Sequence, residues 1–189
     1  ISIDIETRSS ADIGKTGLYR YALDPDFEIL LFAYKTPDAE VTVVDLANGE
    51  KIPEPIIHIL QDPSWVKHAY NAAFEWFRLN QAGYKTPLEQ WKCTMIHSMY
   101  CGYPASLEAS GKALGLPQDK RKLTTGKALI RYFCTPCKPT KTNGGRRWNL
   151  PRHAEDKWEL FKEYNGQDVV TEQEILRRLN QFPVPEKEW

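Results

Sequence analysis

The chain has 189 residues, of which 41% are apolar, 12% aromatic and 26% charged; this composition supports a buried core and argues against a disordered chain. Twenty-five basic residues balance twenty-five acidic ones, so net charge alone points to no partner. No apolar run approaches the ~18 residues of a membrane span, and no basic-then-apolar leader opens the chain, so a cytoplasmic protein without membrane contact is expected.

The opening run Ile1-Ser-Ile-Asp-Ile-Glu6 alternates at period two and reads as a strand. The absence of an initiator Met before it leads to the expectation of a piece cut from something longer. Residues 27–35 form a nearly continuous apolar run, the pattern of a central strand buried on both faces. Residues 41–46 are β-branched and predict a third strand, and 65–69 a short fourth. A helix with Pro in its first turn is predicted over 53–61, and another over 72–82, ended by Gly83. Helical patterns follow at about 93–101, 106–115 and 123–133. Three prolines and a Gly-Gly make 134–151 a loop. A long helix at about 153–180 carries Trp158 and Phe161 on a buried stripe, and Pro183 and Pro185 end it. Strands first and helices after predict an α/β domain.

Cys93, Cys101, Cys134 and Cys137 are unevenly spaced, which fits free thiols in a reducing compartment better than a disulfide scaffold. Cys134-Thr-Pro-Cys137 has half of a zinc-knuckle spacing, but the other pair supplies no second half. The four histidines have no metal-ligand spacing; His68, three residues before Asn71, is a candidate supporting residue. Charge is unevenly spread. Between Gln118 and Arg152 there are ten Lys/Arg and one acid, Asp119. Such a stripe suits a polyanion path beside an acidic site, or a solvated loop.

Asp4 and Glu6, at i and i+2 of the first strand, share a face about 7 Å apart along the backbone. Ile1, Ile3 and Ile5 point the other way. Two neighbouring carboxylates on a half-buried strand repel unless something positive lies between them, and oxygen donors of this kind suit Mg²⁺ or Mn²⁺. A solvated acidic edge strand is the alternative. Tyr164 and Asp168 share a face of the last helix. Asn71-Ala-Ala-Phe74-Glu75 puts a further carboxylate in the first turn of a helix, where Asn71 is expected to fix the strand-to-helix turn, as a structural cap or beside a ligand.

The set Asp4-x-Glu6, Asn71-x-x-Phe74-Glu75 and Tyr164-x-x-x-Asp168 resembles the three motifs of the DEDD 3′–5′ exonucleases, in the tyrosine branch. Gly17-Leu-Tyr-Arg-Tyr21, Asp26-Phe-Glu-Ile-Leu-Leu31, Pro104-Ala-Ser-Leu107, Gly126-Lys-Ala-Leu-Ile130 and Tyr164-Asn-Gly-Gln-Asp-Val169 are similar to the proofreading domain of phage-type family A DNA polymerases. The resemblance covers essentially the whole chain. It departs in one place, since the broader family usually has Asp where this chain has Glu75.

The resemblance implies an RNase H-like (DnaQ-like) fold with a mixed five-stranded sheet flanked by α-helices. It implies an exonuclease domain over 1–182, with 183–189 leading to a polymerase domain of the same chain. Two divalent ions, Mg²⁺ or Mn²⁺, would be held by Asp4, Glu6, Asp168 and Glu75, with Tyr164 orienting the attacking water. The partner would be the 3′ end of single-stranded DNA, met by a monomer. The candidate contacts are Thr7, Leu18, Tyr19, Asn71, Phe74, Arg121, Lys122, Lys127 and Arg131. A catalytically inactive binding module and an RNase D-like RNA exonuclease are the competing expectations.

Overall fold

The computed structural model describes residues 1–121 and 123–188. Strand β1 (Ser2–Arg8) follows its period-two pattern: Ile3 and Ile5 are buried on one face of the sheet, and Asp4 and Glu6 lie on the other. Strand β2 (Glu28–Lys35) pairs antiparallel with β1, and β3 (Thr42–Asp45) pairs antiparallel with β2. On the other side β4 (Lys67–Ala69) and β5 (Trp91–Cys93) continue in parallel, giving the order β3-β2-β1-β4-β5. The mixed five-stranded sheet is present, and β1 is its middle strand. A solvated acidic edge is thereby excluded, because α7 (Glu155–Leu179) packs over β1, β2 and β3.

The sheet separates two apolar layers. On one side Ile1, Ile3, Ile5 and Phe32 meet Ile56 and Leu60 of α2 (Glu54–Gln61) and Ala72 and Leu79 of α3 (Ala72–Gln81). On the other, Leu30 and Leu31 of β2 meet Leu129 and Phe133 of α6 (Gly126–Phe133) and Trp158, Phe161 and Tyr164 of α7. The run in β2 is buried on both faces, as its sequence requires: Leu30 to Ala33 are each at most 1% exposed. In α7 the buried positions Trp158, Phe161, Tyr164, Asp168, Ile175 and Leu179 recur on one stripe. The Trp158 indole donates to Asp45 Oδ2 at 2.7 Å and ties that helix to β3. Helices α4 (Thr94–Tyr100) and α5 (Leu107–Ala113) pack against α7.

Three details differ from the sequence reading. Residues Ile13–Ala22 form a helix, α1, kinked at Gly17, that the apolar pattern does not announce because only Tyr21 and Ala22 are buried. The predicted 93–101 helix begins one residue later, since Trp91–Cys93 is taken by strand β5. Helix α6 starts at Gly126, not 123. The tail lies against the domain: Val184 is buried, Lys92 pairs with Glu186 at 2.8 Å, and His97 Nε2 donates to the Phe182 carbonyl at 2.8 Å. Among the described residues no helix is long and apolar enough to cross a membrane.

Candidate active site

The acids arrive from the middle of the sheet and from the helix laid over it. Strand alternation brings Asp4 and Glu6 to the α7 face, and the α7 stripe turns Asp168 toward them. One oxygen from each of Asp4, Glu6 and Asp168 lies within 4.8 Å of the others. Glu6 and Asp168 are buried, and Asp4 is half-buried. Three carboxylates so close in a site of reduced dielectric repel one another strongly. The arrangement therefore fits a hard divalent cation with oxygen ligands.

Neighbouring groups partly offset that repulsion. Asn165, fully buried on α7, donates from Nδ2 to Asp4 Oδ2 at 2.6 Å. The Tyr164 phenol is buried at 2% exposure and hydrogen-bonds to Asp168. Its pKa is driven far above the ordinary phenol range, by burial first and then by the negative charge of Asp168, Glu6 and Asp4. Tyr164 is thus a neutral donor at any physiological pH, not a base. Its ring occupies space that Gly126 leaves open: a Cβ on Gly126 would lie 2.0 Å from Tyr164 Cε2.

Glu75 stands apart from the three-oxygen cluster. It is 3% exposed, and its Oε2 has no hydrogen-bond partner. Burial, then the negative charge of Asp4, raise its pKa well above the usual carboxylate range. A buried, incompletely satisfied carboxylate next to an acidic cluster fits a position that a second cation would complete. Its placement depends on Asn71, whose backbone lies in the left-handed region (φ 77°, ψ 49°) and turns β4 into α3. Asn is among the few side chains that tolerate this conformation. Asn71 thus fixes the strand-to-helix turn as expected, through its backbone conformation and not through a side-chain cap, since its side chain makes no capping hydrogen bond.

Beneath Glu75, one turn along α3, Arg78 is fully buried, with no hydrogen-bond partner for its three guanidinium nitrogens. The rings of Tyr21, Phe74 and Phe27 surround it at 4.1, 4.4 and 4.8 Å. Burial lowers its pKa to about 10, while Tyr21 and Glu75 hold it up, so it remains a cation. Ring quadrupoles and the nearby carboxylate take the place of solvent. Tyr21 donates its hydroxyl to the Thr7 carbonyl at 3.1 Å and also meets Thr7 Oγ1 at 3.1 Å. The cage thereby connects α1 to the end of β1.

Beside Glu6 opens a cavity of about 440 Å³, lined among others by Thr7, Tyr21, Phe74, Ile130 and Cys134. Thr7 and Phe74 of the predicted contact set therefore border the acidic cluster. Leu18 is half-buried and Tyr19 is 66% exposed on α1, with its ring edge-on to Phe77 at 4.6 Å. Lys127 and Arg131 are exposed on α6. Arg121 is turned back on the chain, its Nε donating to the Leu116 carbonyl at 2.6 Å. Lys122 lies outside the described residues. His68 is paired across the sheet with Ser2, at the opposite end of β1 from Glu6, and lines a different cavity, so it does not support the cluster. Burial lowers its pKa to about 4. All four cysteines are free, and among the described residues Cys134 and Cys137 belong to no metal-holding group.

Sequence reasoning did not assign Asn165, Gly126 or Arg78. Asn165 and Gly126 lie inside stretches that carry the resemblance, but their roles arise from contacts distant in sequence. A lone Arg among Phe and Trp residues on α3 is the one local signal for the cage.

No family model matches the chain. A DNA polymerase of Bacillus phage SP02 is 47% identical over all 189 residues of the chain, which spans 29% of that polymerase's length. Two solved structures share the fold: a nuclease in its apo form, with TM-score 0.52 and 17% identity over 95% of this chain and 70% of its own, and Brucella melitensis NrnC, with TM-score 0.52 and 18% identity over 95% and 71%. From end to end, the chain is similar to a segment of that phage DNA polymerase, and it shares the RNase H-like fold of these nucleases.

Proposed function

We propose that the chain is a metal-dependent 3′–5′ exonuclease that removes nucleotides from the 3′ end of single-stranded or frayed DNA, proofreading for a polymerase domain in the same polypeptide. The observation that carries this reading is the convergence of Asp4, Glu6 and Asp168 within 4.8 Å, with the Tyr164 phenol hydrogen-bonded to Asp168. The match along the full chain to a phage DNA polymerase supports DNA over RNA as the substrate. Filled acidic positions at 4, 6, 75 and 168 argue against an inactive binding module.

In this reading Asp4, Glu6 and Asp168 would hold one Mg²⁺ or Mn²⁺, and Asp4 with Glu75 would hold a second. Bound there, the ions would supply an activated water and positive charge for the leaving 3′-oxygen. The chain's own residues do the rest. Asn165 fixes the Asp4 carboxylate, Arg78 balances Glu75, and the neutral Tyr164 hydroxyl, donating to Asp168, orients the attacking water by accepting a hydrogen bond from it. The terminal nucleotide occupies the cavity beside Glu6 and Thr7, against Phe74, with Leu18, Tyr19 and Asn71 at its approaches. Lys127 and Arg131, together with Arg121 and Lys122, attract the backbone. In this reading residues 1–182 form the exonuclease domain and 183–189 lead toward the polymerase; the likeness to a phage polymerase supports work in a bacterial host's cytoplasm.

A time course on 5′-labelled DNA and RNA strands of one sequence tests this. A ladder of shortened DNA products with release of 5′-mononucleotides, abolished by EDTA, is expected. Preferential degradation of RNA would favour the RNase D-like reading, and full activity in EDTA would reject the metal mechanism.

A further inference from the structure

We propose that the basic loop 137–147 is an arm that holds the single-stranded phosphate backbone upstream of the terminal nucleotide, a reading that rests on the exonuclease function above. Both ends of this loop are fixed at the carboxyl end of β1, next to the acidic cluster. The outgoing segment, Cys134 to Pro136, lines the same cavity as Glu6 and Thr7. The returning Trp148 stacks beneath the Arg8 guanidinium at 5.1 Å, two residues beyond Glu6 on β1.

The loop between these ends is folded. The Cys137 N–H donates to the Arg147 carbonyl at 2.7 Å and closes its base. At the tip the Thr140 N–H donates to Asn143 Oδ1 at 2.9 Å, and the Gly145 N–H to the Thr140 carbonyl at 2.9 Å. Gly144 and Gly145, at φ 69° and 75°, allow the reversal. Asn149 anchors the return by donating to the Tyr132 carbonyl at 2.9 Å.

On this frame Lys138, Lys141 and Arg147 are exposed, and among the described residues none of them enters an ion pair. No acid occurs between Asp119 and Glu155. Three exposed cations on a loop whose ends lie next to the carboxylate cluster would attract a polyanion that the cluster itself repels. A flexible loop would lose more entropy on ordering against a strand than this hydrogen-bonded one.

The test is the triple variant Lys138→Gln, Lys141→Gln and Arg147→Gln in the full 189-residue chain, with single variants as folding controls. Binding of a long single strand is followed by anisotropy against salt, and turnover is measured on that strand and on a dinucleotide. The slope of log K against log salt should fall by about 2, because each neutralised contact to a single strand contributes ~0.7. KM on the long strand should rise about tenfold, with kcat and dinucleotide turnover unchanged. An unchanged salt slope and KM would overturn the arm, as would an equal loss on the dinucleotide. Because anisotropy needs no turnover, a wild-type chain that binds the strand without degrading it would refute the nuclease reading and leave the arm standing.

Discussion

Gly126→Ala tests the link between the site and its packing. The added Cβ would lie 2.0 Å from Tyr164 Cε2 and 2.4 Å from Cζ, where carbon atoms ordinarily rest at about 3.5–4.0 Å. The ring would have to retreat by more than about 1 Å. Phe161 packs against it, its ring parallel within 13° at a centroid distance of 6.2 Å. Overpacking of this kind costs about 1–3 kcal/mol, against which replacing a glycine at the first residue of α6 returns about 0.4–1 kcal/mol by restricting the unfolded chain. Stability should therefore drop by at most about 2.6 kcal/mol in urea denaturation. The effect on catalysis should be far larger. A 1 Å misplacement of a positioning group costs about 10²-fold in rate, so kcat on a 5′-labelled strand should fall by about that factor. In a Tyr164→Ala background the methyl has room, and Gly126→Ala should then be neutral or mildly stabilising. That non-additivity is the signature of direct contact. Full kcat in Gly126→Ala, or penalties that simply add, would refute the reasoning.

Other substitutions separate the roles within the site. Asp4→Ala or Asp168→Ala should lower strand degradation in Mg²⁺ by at least about 10³-fold, and Tyr164→Phe by about 10–10²-fold, both read from single-turnover rates; equal losses would contradict an orienting phenol. Glu75 has its folded pKa raised, so below about 4.5 both states are protonated, and above it the folded state retains the proton that the unfolded state loses. Without divalent metal, stability should fall as pH rises from about 4.5 toward neutrality. Glu75→Gln should flatten that fall, and parallel pH profiles for the two proteins would contradict the assignment. Arg78→Lys should cost about 2 kcal/mol in denaturation, because an ammonium cannot cover three ring faces as a guanidinium does; wild-type stability would show that the aromatic cage contributes little.

Much of the architecture was visible in the residue pattern because burial and period coincide. Ile1, Ile3 and Ile5 alternate with the acids, β2 is apolar throughout, and α7 repeats its buried positions for 25 residues. Helix α1 was not visible, since few of its side chains are buried and its kink breaks the period. Strand β5 has three residues and reads as the start of the helix that follows it. The motif acids could be picked out one by one, but the proximity of Asp168 to Asp4 comes from helix packing over the sheet. The same holds for Asn165, which reaches Asp4 across 161 positions of sequence. Gly126 and Arg78 show why pattern alone is insufficient. One matters for an atom it lacks, and the other is a charge where a pattern places apolar contact.

The central claim is that Asp4, Glu6 and Asp168 together form a cation site, and Mn²⁺ titration followed by electron paramagnetic resonance tests it without requiring turnover. Wild-type protein should take up Mn²⁺ with its tightest site lost in Asp168→Asn, a substitution that preserves the shape of the side chain. Identical titrations for the two proteins would mean that the converging carboxylates do not hold the ion, and the catalytic account would fall with them.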